Sequence, residues 1–130
     1  MLSQGIFDAC KFGDIDRVKE IIRTDPSAID TAGSALHVAC YNENIQIVEL
    51  LIGAGVDVDW KNEKGHTALD IASRDIFSGN GSYEITKMLV KAGADCSEVR
   101  GLVLVLYNVD IIPTDKQLKQ IPIGHALYKK

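Results

Sequence analysis

The chain repeats itself. Ala35-Leu36-His37-Val38-Ala39 returns as Ala68-Leu69-Asp70-Ile71-Ala72, 33 residues later, and Gly53-Ala54-Gly55-Val56-Asp57 returns as Lys91-Ala92-Gly93-Ala94-Asp95, 38 residues later. A period of this size means that each unit is one supersecondary motif. Such a motif cannot bury its apolar face alone, so neighbours must stack. The mismatch of five between the offsets places extra residues within 73–82, where Ser78-Gly79-Asn80-Gly81-Ser82 reads as a loop. A weaker copy lies upstream. Ala9-Cys10 followed by Ile15, Val18, Ile21 and Ile22 aligns with Ala39-Cys40 followed by Ile45, Val48, Leu51 and Ile52, at an offset of 30.

Within a unit the apolar residues follow helical spacing. Ile47, Leu50 and Leu51, with Ile45, Val48 and Ile52 beside them, make a broad apolar face, and Ile85, Met88 and Leu89 do the same in the next unit. The first helices are short and end where polar residues cluster at Asn42-Glu43-Asn44. Gly55 and Gly93 fall just past the second helices, where a residue of positive φ ends a helix. Each unit therefore reads as helix, turn, helix and extended link, with the link at 26–33 shorter than the one after the second unit.

These residues resemble the ankyrin-repeat family, whose units carry Gly-x-Thr-Pro-Leu-His-x-Ala and a Gly-Ala-Asp turn. Gly65-His66-Thr67-Ala68-Leu69-Asp70-Ile71-Ala72 matches except for Ala68 at the Pro position and Asp70 at the His position. Gly33-Ser34-Ala35-Leu36-His37-Val38-Ala39 matches with Ser for Thr and one residue fewer, Gly93-Ala94-Asp95 is the turn itself, and Gly55-Val56-Asp57 is close to it. The resemblance spans residues 3–97 and implies an all-α solenoid of helix-turn-helix units joined by extended links. The expected organisation is one domain, 1–130: repeat 1 at 3–32, repeat 2 at 33–61, and repeat 3 at 62–97 with an inserted loop at 73–82. Residues 98–130 are expected to form a degenerate fourth repeat or C-terminal cap, since a solenoid needs its last apolar face covered. Thr114-Asp115-Lys116-Gln117 looks like a capping box opening a helix there. The alternating Leu102-Val103-Leu104-Val105-Leu106 stretch is equally consistent with a strand, and Pro122 interrupts any long helix.

Charge narrows the function classes. The net charge is −4, with 10 Lys/Arg against 16 Asp/Glu in residues 1–100 and 4 against 2 in 101–130. An acidic body repels phosphate backbones, and the basic tail is too sparse for a nucleic-acid or lipid patch, so neither nucleic acid nor membrane is an expected partner. The longest apolar run, 102–107, is far below the ~18 residues a membrane helix needs. The N-terminus lacks the charged and apolar regions of a signal peptide, and Cys10, Cys40 and Cys96 are an odd set without metal-like spacing. The expectation is a cytoplasmic, non-secreted protein with reduced thiols.

No catalytic, cofactor or metal site is expected. The resemblance implies that His37 bonds neighbouring backbone and holds the turn, while His66 takes a variable surface position and His125 lies in the tail. Cys10 and Cys40 occupy equivalent places where small apolar side chains fit between close helices, and the reactivity of Cys96 stays open. Gly79-Asn80-Gly81 lacks the strand and helix start of a phosphate loop, and Asp57 and Asp59 alternate along a link rather than converge.

Stacked units with projecting links create a concave surface, and the resemblance implies that partners bind there. The variable positions of that surface fall at Lys11, Phe12, Tyr41, Asn42, Arg74 and Asp75 on the first helices, and at Lys61, Glu63, Lys64 and His66 on the long link, with Trp60 just before them. Phe12, Tyr41 and Trp60 suit partner contact, because rigid rings bury area at low entropic cost, and they equally suit packing on a neighbouring repeat. The 73–82 insertion, with Ile76 and Phe77 in it and Tyr83 beside it, is a second candidate. The expected function is a non-catalytic protein-interaction module, expected as a monomer: either a free-standing adaptor, which the short length and the C-terminal capping favour, or the N-terminal part of a longer chain. The alternatives are an inhibitor or immunity-type protein that blocks an enzyme, and a structural module that self-associates through 102–107.

Overall fold

The computed structural model describes residues 2–73, 83–95 and 115–120. Its first two helix pairs are copies of one another down to single hydrogen bonds. Helix α1 (Leu2–Phe12) hands over to α2 (Ile15–Thr24) through Gly13, at φ +74°, and Asp14, whose carboxylate accepts from the Arg17 N–H at 3.1 Å. Helix α3 (Gly33–Tyr41) hands over to α4 (Ile45–Gly53) through Glu43, at φ +57°, and Asn44, whose side-chain oxygen accepts from the Ile47 N–H at 3.2 Å. In both turns the N-cap residue donates its own N–H five residues back, Asp14 to the Ala9 carbonyl and Asn44 to the Ala39 carbonyl, each at 2.9 Å. Short polar caps start the second helices because the first-turn N–H groups have no intrahelical acceptor.

The offset of 38 is equally visible in hydrogen bonds. The third pair comprises α5 (Ala68–Ser73) and α6 (Tyr83–Lys91). Gly55, at φ +92°, ends α4 and donates to Ile52, while Gly93, at φ +91°, ends α6 and donates to Val90, both at 3.0 Å. The next residues, Val56 and Ala94, reach back to Leu51 and Leu89 at 3.1 Å and turn into the core. Of the 73–82 insertion only Ser73 is described, its hydroxyl donating to the Leu69 carbonyl at 2.7 Å; Ile76 and Phe77 lie outside the described residues.

The first helices stack α1 on α3 on α5 and the second helices stack α2 on α4 on α6. One core runs through the stack, built from Ile6, Val18, Leu36, Ile47, Leu51, Leu69, Ile85 and Leu89. Fully burying each such aliphatic side chain stabilises by about 1.5–3 kcal/mol. Ala9, Cys10, Ala39, Cys40 and Ala72 are buried at the helix contacts, where small side chains let the axes approach.

The link after the first unit is not extended. Residues Pro26–Thr31 wind into a 3-10 turn, with the Ser27 hydroxyl donating to the Asp25 carboxylate at 2.6 Å and Ala28 buried beneath. The cause is local. Helix α2 ends at Thr24-Asp25-Pro26 without the glycine that the other two second helices have, and proline stops the α-helix while its fixed φ starts a new turn.

A further helix, α7 (Asp115–Gln120), lies where the capping-box spacing predicts one. Gln117 is buried and donates through Nε2 to the carbonyls of Val90, at 2.8 Å, and Ala94, at 2.9 Å, closing the end of α6. Cys96, the 102–107 stretch and His125 lie outside the described residues. Among the described residues no helix is long and apolar enough to cross a membrane.

Candidate protein-binding surface

The first helices end in large exposed rings. Phe12 closes α1 and Tyr41 closes α3, and they are 76% and 77% exposed. Neither packs on the neighbouring repeat to any depth. The Lys11 ammonium stands 5.7 Å from the centre of the Phe12 ring. Asn42, beside Tyr41, has a different role: its Nδ2 donates to the Lys11 carbonyl at 3.2 Å and ties the first two turns together.

Trp60 divides between fold and surface. It is 38% exposed, yet its ring meets that of His37 edge-on, with centroids 4.9 Å apart and planes at 83°. His37 Nε2 lies 3.1 Å from the Trp60 carbonyl, which assigns the proton to Nε2. The indole rests on Gly33, where an added Cβ would come within 2.7 Å of the Trp60 Cβ. Burial holds the His37 pKa below its ordinary value, against the smaller raising effect of the Trp60 carbonyl. The ring is therefore neutral near pH 7.

Beyond Trp60 the link forms a tip organised by Asn62. Its side-chain oxygen accepts from the N–H groups of Lys64, at 2.9 Å, and His66, at 3.0 Å, and its carbonyl accepts from Gly65, at φ +80°. Lys61, Glu63 and Lys64 are exposed on this tip. His66 is half-buried, with Nε2 3.7 Å from the Asp70 carboxylate. At the far side of the same link, Asp57 accepts from the Asp59 N–H at 2.9 Å, and Asp59 accepts from the Asp95 N–H at 2.7 Å. Asp57 thus shapes the link, and Asp59 ties it to the turn after α6. Arg74 and Asp75 lie outside the described residues.

The structure thus brings Phe12 and Tyr41 together on adjoining helix ends and sets Trp60, Lys61, Glu63 and His66 on the link. Sequence reasoning did not single out Asn62, although Asn62-Glu63-Lys64-Gly65 carries a turn pattern that points to it. Nor did it mark Ile45 as exposed, at 40%, because spacing alone assigns it to the apolar side of its helix, whereas Tyr83, named with the insertion as a candidate contact, is 42% exposed at the start of α6. The buried thiols of Cys10 and Cys40 are pushed up to about 12, which leaves both protonated and poor nucleophiles. Among the described residues no group of three His, Cys, Asp or Glu side chains is arranged to hold a metal ion.

A family profile described as ankyrin repeats (3 copies) matches residues 6–99. The chain is 34% identical over 92 residues to protein phosphatase 1 regulatory subunit 27 of Mus musculus, and to the same degree to that of Homo sapiens, covering 68% of this chain and 56% of each relative. It is 32% identical over 97 residues to ankyrin repeat and KH domain-containing protein mask-1 of Caenorhabditis elegans, covering 72% of this chain and 4% of that protein. The chain thus spans little more than half the length of the curated phosphatase subunits it matches.

Proposed function

This chain belongs to the ankyrin-repeat family, and from that premise we propose that it is a non-catalytic module that binds a protein partner through the concave face of α1, α3, α5 and the link tip. The observation that carries this reading is the pair Phe12 and Tyr41. Two large rings, each more than three-quarters exposed, stand on adjoining ends of stacked helices. Rings left in water on a rigid scaffold are ready to bury area in a partner at little entropic cost. Lys61, Glu63 and His66 on the tip supply polar contacts, and the acidic body disfavours nucleic acid. The test compares affinity capture by the wild type with capture by Phe12→Ala/Tyr41→Ala. A partner held by the first and lost by the second supports the reading, and one held equally by both removes it.

A second reading follows from the likeness to the phosphatase regulatory subunits: the partner is an enzyme whose activity the module lowers or redirects. Added to the catalytic subunit of protein phosphatase 1, the chain is then expected to change turnover in proportion to the complex formed. Unchanged turnover with no complex by size-exclusion chromatography removes that partner.

A further inference from the structure

Among the described residues, four of the five exposed large apolar side chains share one kind of place, the fifth being Trp60 on the link. Phe12, Tyr41, Ile45 and Tyr83 all stand where a first helix hands over to a second, or where the second begins. Ile45 and Tyr83 hold the same place in their repeats, each opening its second helix. The handover turns adjoin: Asn42 bonds the Lys11 carbonyl, and a Cβ on Gly13 would lie 3.3 Å from Asn44 Nδ2. With α2, α4 and α6 stacked, the four residues line one edge of the solenoid.

The same edge is acidic. Asp16 and Glu84 follow the first residues of α2 and α6, Glu43 lies in the middle turn, and all three are exposed. Of the cations nearby, Lys11 stands by the Phe12 ring and Lys87 is exposed one turn into α6, while Arg17 turns its guanidinium back along α1 toward Gly5. An apolar row rimmed by carboxylates selects its occupant by charge. A second copy of this edge would set carboxylates against carboxylates, so like-charge repulsion opposes a symmetric dimer.

We propose that this turn edge seats a cationic amphipathic segment of a protein partner, whose aliphatic side chains cover Phe12, Tyr41, Ile45 and Tyr83 while its Lys or Arg side chains meet Asp16, Glu43 and Glu84. The inference rests on the reading of the chain as a protein-binding module. It adds the chemistry of the partner and extends the contact from the concave face onto the turns.

The test titrates the isotope-labelled full chain with two synthetic amphipathic peptides of equal length and identical leucine pattern, one with lysine and one with glutamate at the polar positions. The lysine peptide is expected to shift the amide signals around Phe12, Tyr41, Ile45 and Tyr83 and to bind at least about tenfold more tightly than the glutamate peptide. Phe12→Ser/Tyr41→Ser is expected to weaken it about tenfold or more. Asp16→Asn/Glu43→Gln/Glu84→Gln is expected to abolish the preference between peptides. These substitutions are on the surface, and thermal unfolding verifies that the fold is kept. Equal affinity for both peptides overturns the proposal, as does a concentration-dependent dimer mass. Binding that is lost in Phe12→Ser/Tyr41→Ser but unchanged by Asp16→Asn/Glu43→Gln/Glu84→Gln, with amide shifts that spare Ile45 and Tyr83, also overturns it while leaving the concave-face reading intact.

Discussion

Single residues carry both the strain and the specificity of this solenoid. Glu43 holds a left-handed backbone position that its counterpart Gly13 fills without a Cβ. Glu43→Gly is therefore expected to stabilise the chain by about 1 kcal/mol, read as a raised urea midpoint. An unchanged or lowered midpoint would show that the Glu43 side chain makes up the difference. His37 carries a pH dependence whose sign follows from its lowered pKa. Above the unfolded value of 6.5 the ring is neutral in both states and its contribution is fully present. As pH falls below 6.5 the unfolded chain takes the proton first, and stability is lost until the folded pKa has been passed. Thermal unfolding between about pH 5 and 7 should show this loss in the wild type and less of it in His37→Gln. The same slope in both would remove His37 as the cause. The bond from His37 to neighbouring backbone was legible because the resemblance implies it. The Trp60 ring over Gly33 was not, since no local pattern announces a contact between residues so far apart.

At the scale of elements, the helix pairs were readable because one arrangement returns at offsets of 30, 33 and 38. Caps, turn glycines and core positions all recur with it. The 3-10 turn at Pro26–Thr31 was hidden because repetition led to the expectation of the same extended link after each pair, whereas Asp25-Pro26 rewrites the local geometry. Helix α7 shows the same limit in another form. Thr114-x-x-Gln117 announced a helix start, but not that Gln117 bonds carbonyls 27 and 23 residues away. Gln117→Ala is expected to cost about 1–3 kcal/mol in urea unfolding, because it takes a buried donor from two carbonyls. Lys116→Ala, at an exposed neighbouring position, is the control and should cost almost nothing. Equal effects of the two would mean that α7 does not support the stack. Burial of Cys10 and Cys40 makes a further prediction. In the native protein both should resist alkylation by iodoacetamide and react only as the stack opens, which peptide mapping by mass spectrometry checks. Rapid native labelling of either would contradict the packing described for α1 and α3.

At the scale of the whole molecule, the described residues form a stack whose interior is repetitive and whose surface is not. Repetition makes the interior predictable, since each unit meets the same need to cover its neighbour. The proposed binding surface draws on positions that the repeat leaves free, and there the sequence singled out Phe12, Tyr41 and Trp60 without dividing them between partner contact and packing. Burial ranks them: Phe12 and Tyr41 are exposed, Trp60 is shared with the fold, and Asn42 is a tie between turns. The most direct test of the account places a photo-crosslinking amino acid at position 12, 41 or 61, and at Lys19 on the outer helix α2 as a comparison. The account predicts one shared crosslinked partner from positions 12, 41 and 61 and none from position 19. Crosslinking to that partner from position 19 alone, or equally from every position, would contradict it.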